Sequence, residues 1–245
     1  MTTSGTYNFQ LANASVILEA FDRIEIRPPM IDRHMLESAR RSLNLEVLSW
    51  SNETFNYWKL TNGTINLVVG QATYTLPPNL VTLEELYYTQ VNGLGSNVNS
   101  DRIMTPIERT QYSQIVNKLQ PGIPTQYWFQ MLIVPQITIW MVPQTGQAAP
   151  NFVLNWYGLQ QIQDATYASG ETPDIHYRAT DALCARVALR LAEKFGPADP
   201  SAKMALMKEK AALADMAWNN LQRRDQEPGP TSIRLNTSSY ATLRQ

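Results

Sequence analysis

Apolar residues recur at three- and four-residue steps near the start of the chain and again in its last third, while the middle alternates in short runs. Steps of that kind place side chains on one helical face, and alternation places them on one face of a strand. Residues Ala12 to Phe21 read as a short helix, broken by Ile26-Arg27-Pro28-Pro29. Asp32 can then cap a longer helix whose Leu36, Ala39, Leu43, Val47 and Trp50 form one apolar stripe.

From about Thr64 the texture changes to β-branched and aromatic runs cut by Pro, Gly and Asn. TYTLPPN, EELYYTQVNG, TQYWFQMLIV, QITIWMVPQ and NFVLNWYGLQQIQ have the partial alternation of half-buried antiparallel strands. One helix is expected among them, near Pro106 to Leu119. The glycine-containing stretch Asn92 to Asp101 reads as a hairpin or surface loop, because no strand leads through it into a helix N-terminus that would hold a phosphate.

Helix returns over about Pro173 to Phe195. Thr172 is suited to cap it, Pro173 to its first turn, Gly196 to a left-handed closure and Pro197 to ending it. Leu183, Cys184, Val187, Ala188, Leu191 and Phe195 share an apolar arc, with Arg186, Arg190, Glu193 and Lys194 expected on the opposite, solvated side. Asp199 and Pro200 start a further helix with the stripe Met207, Ala211, Ala214, Trp218 and Leu221. The last twenty or so residues carry no core pattern.

The implied fold class is α+β: a helical bundle from both chain ends, an inserted antiparallel β-rich domain and an extended C-terminal arm. The divisions fall at residues 1–63, 64–169, 170–225 and 226–245.

Composition narrows the chemistry. With 245 residues and 44% hydrophobic content the chain can bury a substantial core. A single cysteine excludes an intrachain disulfide framework and a cysteine-based zinc site. Cys184, in the middle of an apolar stripe, reads as a structural thiol, since burial raises a thiol pKa where a nucleophile needs it lowered. His176 lies two turns away, beyond direct hydrogen-bond reach along a helix, and reads as a half-exposed polar residue. No GxSxG, G-x-x-x-x-G-K-[ST] or HExxH stretch occurs, and the two histidines are far apart. The carboxylates read as caps and solvated charges. Neither a cofactor nor a metal site is expected, and no catalytic residue is assigned.

No run approaches the ~20 apolar residues of a membrane span, and the opening residues lack the charged start and apolar run of a targeting segment. A formal net charge of -1 argues against tight phosphate binding, which needs clustered Lys and Arg.

Taken in order, ARRSLNLEVLSWSN, YTLPPN, TPIERTQYSQI, GIPTQYWF, ITIWMVPQ, LNWYGLQQI and TPDIHYRATDALCARVALRLAEKFG resemble the head-to-tail adaptor proteins of tailed bacteriophages, also called head completion, connector or packaged-DNA stabilisation proteins. The resemblance covers roughly residues 10 to 222 and rests on the order and spacing of the motifs. It implies a virion structural protein, not an enzyme, made in the bacterial host cytoplasm and mounted at the capsid–tail junction as a ring, usually of twelve copies. The implied partners are the portal protein, a tail or neck protein, further copies of the chain, and double-stranded DNA passing without specific binding; no membrane is among them. A C-terminal arm commonly clasps the portal in this family, and Ile233, Leu235, Tyr240 and Leu243 are the spaced anchors expected to do so here. A tail terminator or, from another class, a carbohydrate-binding virion protein is the alternative; the latter would need exposed aromatics beside paired carboxylates.

Overall fold

The side chain of Asp32 accepts from Met35 N at 2.7 Å and so opens helix α2, Arg33–Ser51. The structure is a computed structural model and describes residues 5, 9–52, 56–91, 100–146, 148, 151–166 and 170–224. A shorter helix, α1 (Asn13–Asp22), precedes α2, and two more follow the strands: α4 (Thr180–Phe195) and α5 (Pro200–Arg224). Asp199 caps α5 by accepting from Ala202 N at 2.8 Å. Ala39, Leu43, Val47 and Trp50 are buried as their spacing requires, with Leu36 half-buried at the margin. They meet Leu183, Cys184, Val187 and Leu191 of α4, and Trp218 and Leu221 of α5, in one helical core. Helix α4 is the centre of this bundle, touching α1, α2 and α5.

Helix α4 starts later than its sequence suggests. Pro173 and Ile175 are buried without being helical, a 3-10 turn spans Tyr177–Ala179, and the α-helix begins at Thr180. Tertiary demands override the capping signal of Thr172: Ile175 fills the helical core, and Asp174 is drawn to Lys59. At the other end Gly196 is extended (φ -62°, ψ 174°) and not left-handed. Glycine is needed there because a Cβ would run into the Ala192 carbonyl oxygen, to which Gly196 N donates.

Among the described residues, eight strands in two sheets lie between the helical parts. The first sheet has the order β1-β8-β3-β4, all antiparallel, from β1 (Leu60–Asn66), β8 (Phe152–Gln160), β3 (Leu80–Gln90) and β4 (Ser100–Ile103). The second has the order β2-β7-β6-β5, from β2 (Thr73–Thr75), β7 (Gln136–Trp140), β6 (Gln126–Gln130) and β5 (Thr105–Pro106). Its β5–β6 pair is parallel, the one departure from the antiparallel expectation among the described strands. Leu67, Leu86, Met104, Ile137, Ile139, Leu154 and Trp156 form a second core that shares no residue with the helical one.

Strand β1 begins at Leu60, four residues ahead of the visible change in texture, and its LTNGTIN sequence is a weak strand former. Pairing of its whole length with Val153–Leu159 of β8 supplies what propensity lacks. Gly63 faces Trp156 so closely that a Cβ would stand 2.5 Å from the indole ring. The helix among the strands, α3, is confined to Arg109–Gln114, because Pro106 and its neighbour are committed to β5. The stretch 92–99 lies outside the described residues; Gln90 and Ser100 on either side of it are an antiparallel pair.

Candidate functional surfaces

The strongest polar constellation lies between α2 and α4. On α2, Ser38, Ser42 and Glu46 recur every fourth residue and are buried; on the antiparallel α4, Arg186, Arg190 and Lys194 recur in the same rhythm. The two rows meet. Glu46, 3% exposed, receives Arg190 Nε at 2.5 Å, Arg186 Nη1 at 3.3 Å and Trp50 Nε1 at 2.8 Å. Lys194 Nζ donates to Ser42 Oγ at 2.8 Å and to Ser38 Oγ at 3.3 Å. The Arg186 guanidinium also lies 3.9 Å from the centre of the Trp218 ring, a cation–π contact that ties α5 into the seam.

Two sequence expectations are corrected here. Arg186 and Arg190 of α4 are half-buried against α2, whereas Lys194 stays exposed as expected while its ammonium reaches two α2 serines, and one carboxylate, Glu46, is neither cap nor solvated charge. The matching four-residue spacing of polar residues beside the apolar stripes of two amphipathic helices was the signal that would have revealed the seam. With both carboxylate oxygens of Glu46 taken up by cations and an indole, the arrangement holds α2 and α4 together.

Cys184 is 1% exposed, and burial pushes its thiol up to about 11, only partly offset by the Arg23 guanidinium. The thiol is therefore protonated at neutral pH and unsuited to nucleophilic attack. Native protein is expected to resist iodoacetamide at pH 7.5 and to react promptly in denaturant, with Cys184→Ala costing about 1 kcal/mol in a urea melt. The folded thiol titrates above the unfolded one, so its contribution to stability is complete below about pH 9 and declines as pH rises toward 11. Fast alkylation of the folded chain would contradict this placement. His176 caps the 3-10 turn, its Nδ1 accepting from Arg178 N at 3.3 Å, with its ring against Tyr177 at 4.3 Å. The thiol and the imidazole thus belong to different local structures. No cluster of metal-ligating side chains is found among the described residues.

The β part presents a different kind of surface. No charged residue occurs between Lys118 and Asp164, or between Lys59 and Glu84. At the turn joining β6 to β7, Met131, Leu132, Ile133 and Val134 are all exposed, Ile133 almost completely (97%). Val116 and Leu119, and Val68 and Val69 in the loop between β1 and β2, are exposed too. Contiguous exposed apolar residues mark contact surfaces more often than catalytic ones. Along α2 runs an open groove of about 930 Å³, lined by Arg40, Asn44, Leu45, Leu48, Gln161 and Asp164 among others.

The expected anchors Ile233, Leu235, Tyr240 and Leu243 lie outside the described residues. Helix α5, which leads to them, ends near the start of α4: Asn220 and Leu221 share a small cavity with Arg178, Asp181 and Ala182. No described helix is long and apolar enough to cross a membrane.

The family model that matches this chain is described as SU10 adaptor protein, and the match spans residues 18–234. No curated protein matches.

Proposed function

The chain belongs to the SU10 adaptor protein family, a family of phage head-to-tail adaptors, and on that premise we propose that it is a ring-forming virion protein that joins the capsid portal to the tail. The observation that carries the reading is the family match over nearly the whole chain, from the helical bundle through the β part and into the C-terminal segment. Bundle, β insert and arm are separate working parts. Copies stand in a ring, twelve in number, below the portal. The segment after α5 reaches the portal through Ile233, Leu235, Tyr240 and Leu243, and the β part offers its uncharged face and the apolar turn Met131 to Val134 to neighbours or to the next neck or tail protein.

The protein works through surfaces and is not an enzyme: the one buried carboxylate among the described residues is bonded to two cations, and its one thiol is buried and protonated. DNA slides through the ring without being held, in keeping with the near-neutral formal charge of -1. It prolongs the DNA channel and helps to retain the packaged genome at the capsid–tail junction, having been made in the host cytoplasm.

Assembly supplies the test. Alone, the chain is expected to be a monomer or weakly associated at low micromolar concentration, and to form a ring when portal rings are added. Light scattering with and without portal measures this, and particle reconstruction gives the position. A stable ring without portal would contradict the assembly order, and a position at the host-facing tip would overturn the function.

A further inference from the structure

A strand at the edge of a sheet carries unpaired backbone groups, and proteins blunt such edges by keeping them short or by placing charge or proline there. Among the described strands, three of the four edges are treated in this way. Strand β2 spans only Thr73–Thr75, β5 is the pair Thr105–Pro106, and β4 carries Asp101 and Arg102. The fourth edge, β1, runs over Leu60–Asn66 with neither charge nor proline, and it pairs with β8 on one side only. On its other side alternate residues turn N–H and C=O outward, with no backbone partner among the described residues.

This edge stands over a cleft. Thr61, Gly63 and Ile65, the half-buried positions of β1, line an open space of about 540 Å³ together with Trp156 of the same sheet and with Thr75 and Leu76 at the rim of the other. Asn62, Thr64 and Asn66 are exposed on the opposite face. A strand added to β1 therefore needs an apolar residue at every second position, turned toward the cleft, and polar residues between them.

The chain itself contains such a sequence. From Thr231 to Gln245 it has no proline, glycine or carboxylate, and an extended Ser232 to Ser238 would put Ile233, Leu235 and Thr237 on one side against Ser232, Arg234, Asn236 and Ser238 on the other. The place where α5 ends fits as well. Asn220 and Leu221 of its last turns lie beside Arg178 and Asp181, and Asp174, just ahead of Arg178, holds Lys59, the residue before β1. Helix α5 thus delivers the chain to the end of the bundle at which β1 begins. Residues 225–231 can cross up to about 23 Å at ~3.3 Å per residue, and 232–238 then match β1 in length.

We propose that in the unassembled protein residues 232–238 add to the free edge of β1 of their own chain, running parallel to it with Ile233 and Leu235 in the cleft, until a portal ring takes the same two side chains. The docked strand stands on the edge and the cleft alone; its release rests on the portal-binding reading of the arm. Docking covers an edge that would otherwise recruit other chains, and it makes the arm available only where its partner is present.

Disulfide trapping in the full chain tests both halves. In a Cys184→Ala, Thr64→Cys background, at least one of Ser232→Cys, Arg234→Cys and Asn236→Cys is expected to close an intrachain disulfide at least tenfold faster than Ile233→Cys or Leu235→Cys, which face the other way. The double change Arg234→Pro with Leu235→Pro, one of whose amides must face β1, should erase the difference between Ser232→Cys or Asn236→Cys and Ile233→Cys. It lies outside both cores and leaves the fold intact. Excess portal rings should slow trapping at least tenfold. Equal rates on the two faces, or disulfides only between chains, would overturn the docked strand. An unchanged trapping rate on portal rings that have bound the protein would overturn the release. Portal rings that bind no parent protein at all would instead remove the portal reading, while the trapping pattern still decides the docked strand.

Discussion

Removing residues 228–245 is expected to leave a folded, soluble protein whose affinity for portal rings falls about a hundredfold or more, equivalent to roughly 2.7 kcal/mol. The helical core ends at Leu221, so the deletion takes away none of its residues. Pro228, Gly229 and Pro230 separate the helix from a segment too sparse in hydrophobes to form a core of its own. Its Ile233, Leu235, Tyr240 and Leu243 are spaced along a stretch that, extended at about 3.3 Å per residue, spans roughly 50 Å, enough to reach a neighbouring subunit or the portal. Burying even two such side chains on a partner outweighs the stated loss. Far-UV circular dichroism would show nearly unchanged helical content, and titration against portal rings would show the weakening. Full-length affinity in the truncated protein would reduce the segment to a loose end.

Glu46→Ala is expected to destabilise the bundle by about 2–4 kcal/mol, read as a lowered urea midpoint at unchanged slope. The carboxylate is buried, whereas the side chains of Arg186 and Arg190 are 22% and 35% exposed and recover some hydration, which keeps the cost below that of stranding two fully buried cations. The indole of Trp50 loses its acceptor in the same step. Replacing the whole set with apolar residues, Glu46→Leu with Arg186→Met and Arg190→Leu, should recover most of the loss, because no unpaired charge then remains. An unfolding free energy for Glu46→Ala within about 0.5 kcal/mol of the parent would mean that the seam behaves as an exposed ion pair.

Where a local signal and the packing agreed, the sequence was a sufficient guide. Asp32 and Asp199 cap the helices they were expected to cap, and the Ala39, Leu43, Val47 and Trp50 stripe is buried along its length. The aromatic and β-branched runs became β2, β3, β6, β7 and β8 for the same reason. Long-range partners decided the remainder. Nothing in LTNGTIN announces a strand; β8 makes it one. Thr172 and Pro173 spell a helix start that Ile175 and Asp174 forgo for tertiary contacts. Arg186 and Arg190 read as outward-facing because a helix taken in isolation has no polar neighbour, and theirs lies about 140 residues earlier in the chain; Lys194 is exposed as its position implies. Of the site itself, the inert thiol and the half-exposed imidazole were legible from their own neighbourhoods.

The insertion of the strands between α2 and α4 also sets the order in which the protein can fold as it is made. Helix α2 ends at Ser51 and its principal partner begins at Thr180, about 130 residues later. At translation speeds of about 5–20 residues per second, the stripe of Leu43, Val47 and Trp50 waits roughly 6–26 seconds before α4 leaves the ribosome to cover it. The β part is complete about 20 residues, or roughly 1–4 seconds, before that, since β8 ends at Gln160 and α4 begins at Thr180. A nascent chain therefore passes through a stage with a finished sheet core and an open helical face, and during that interval a chaperone that recognises apolar helices competes with aggregation for α1 and α2.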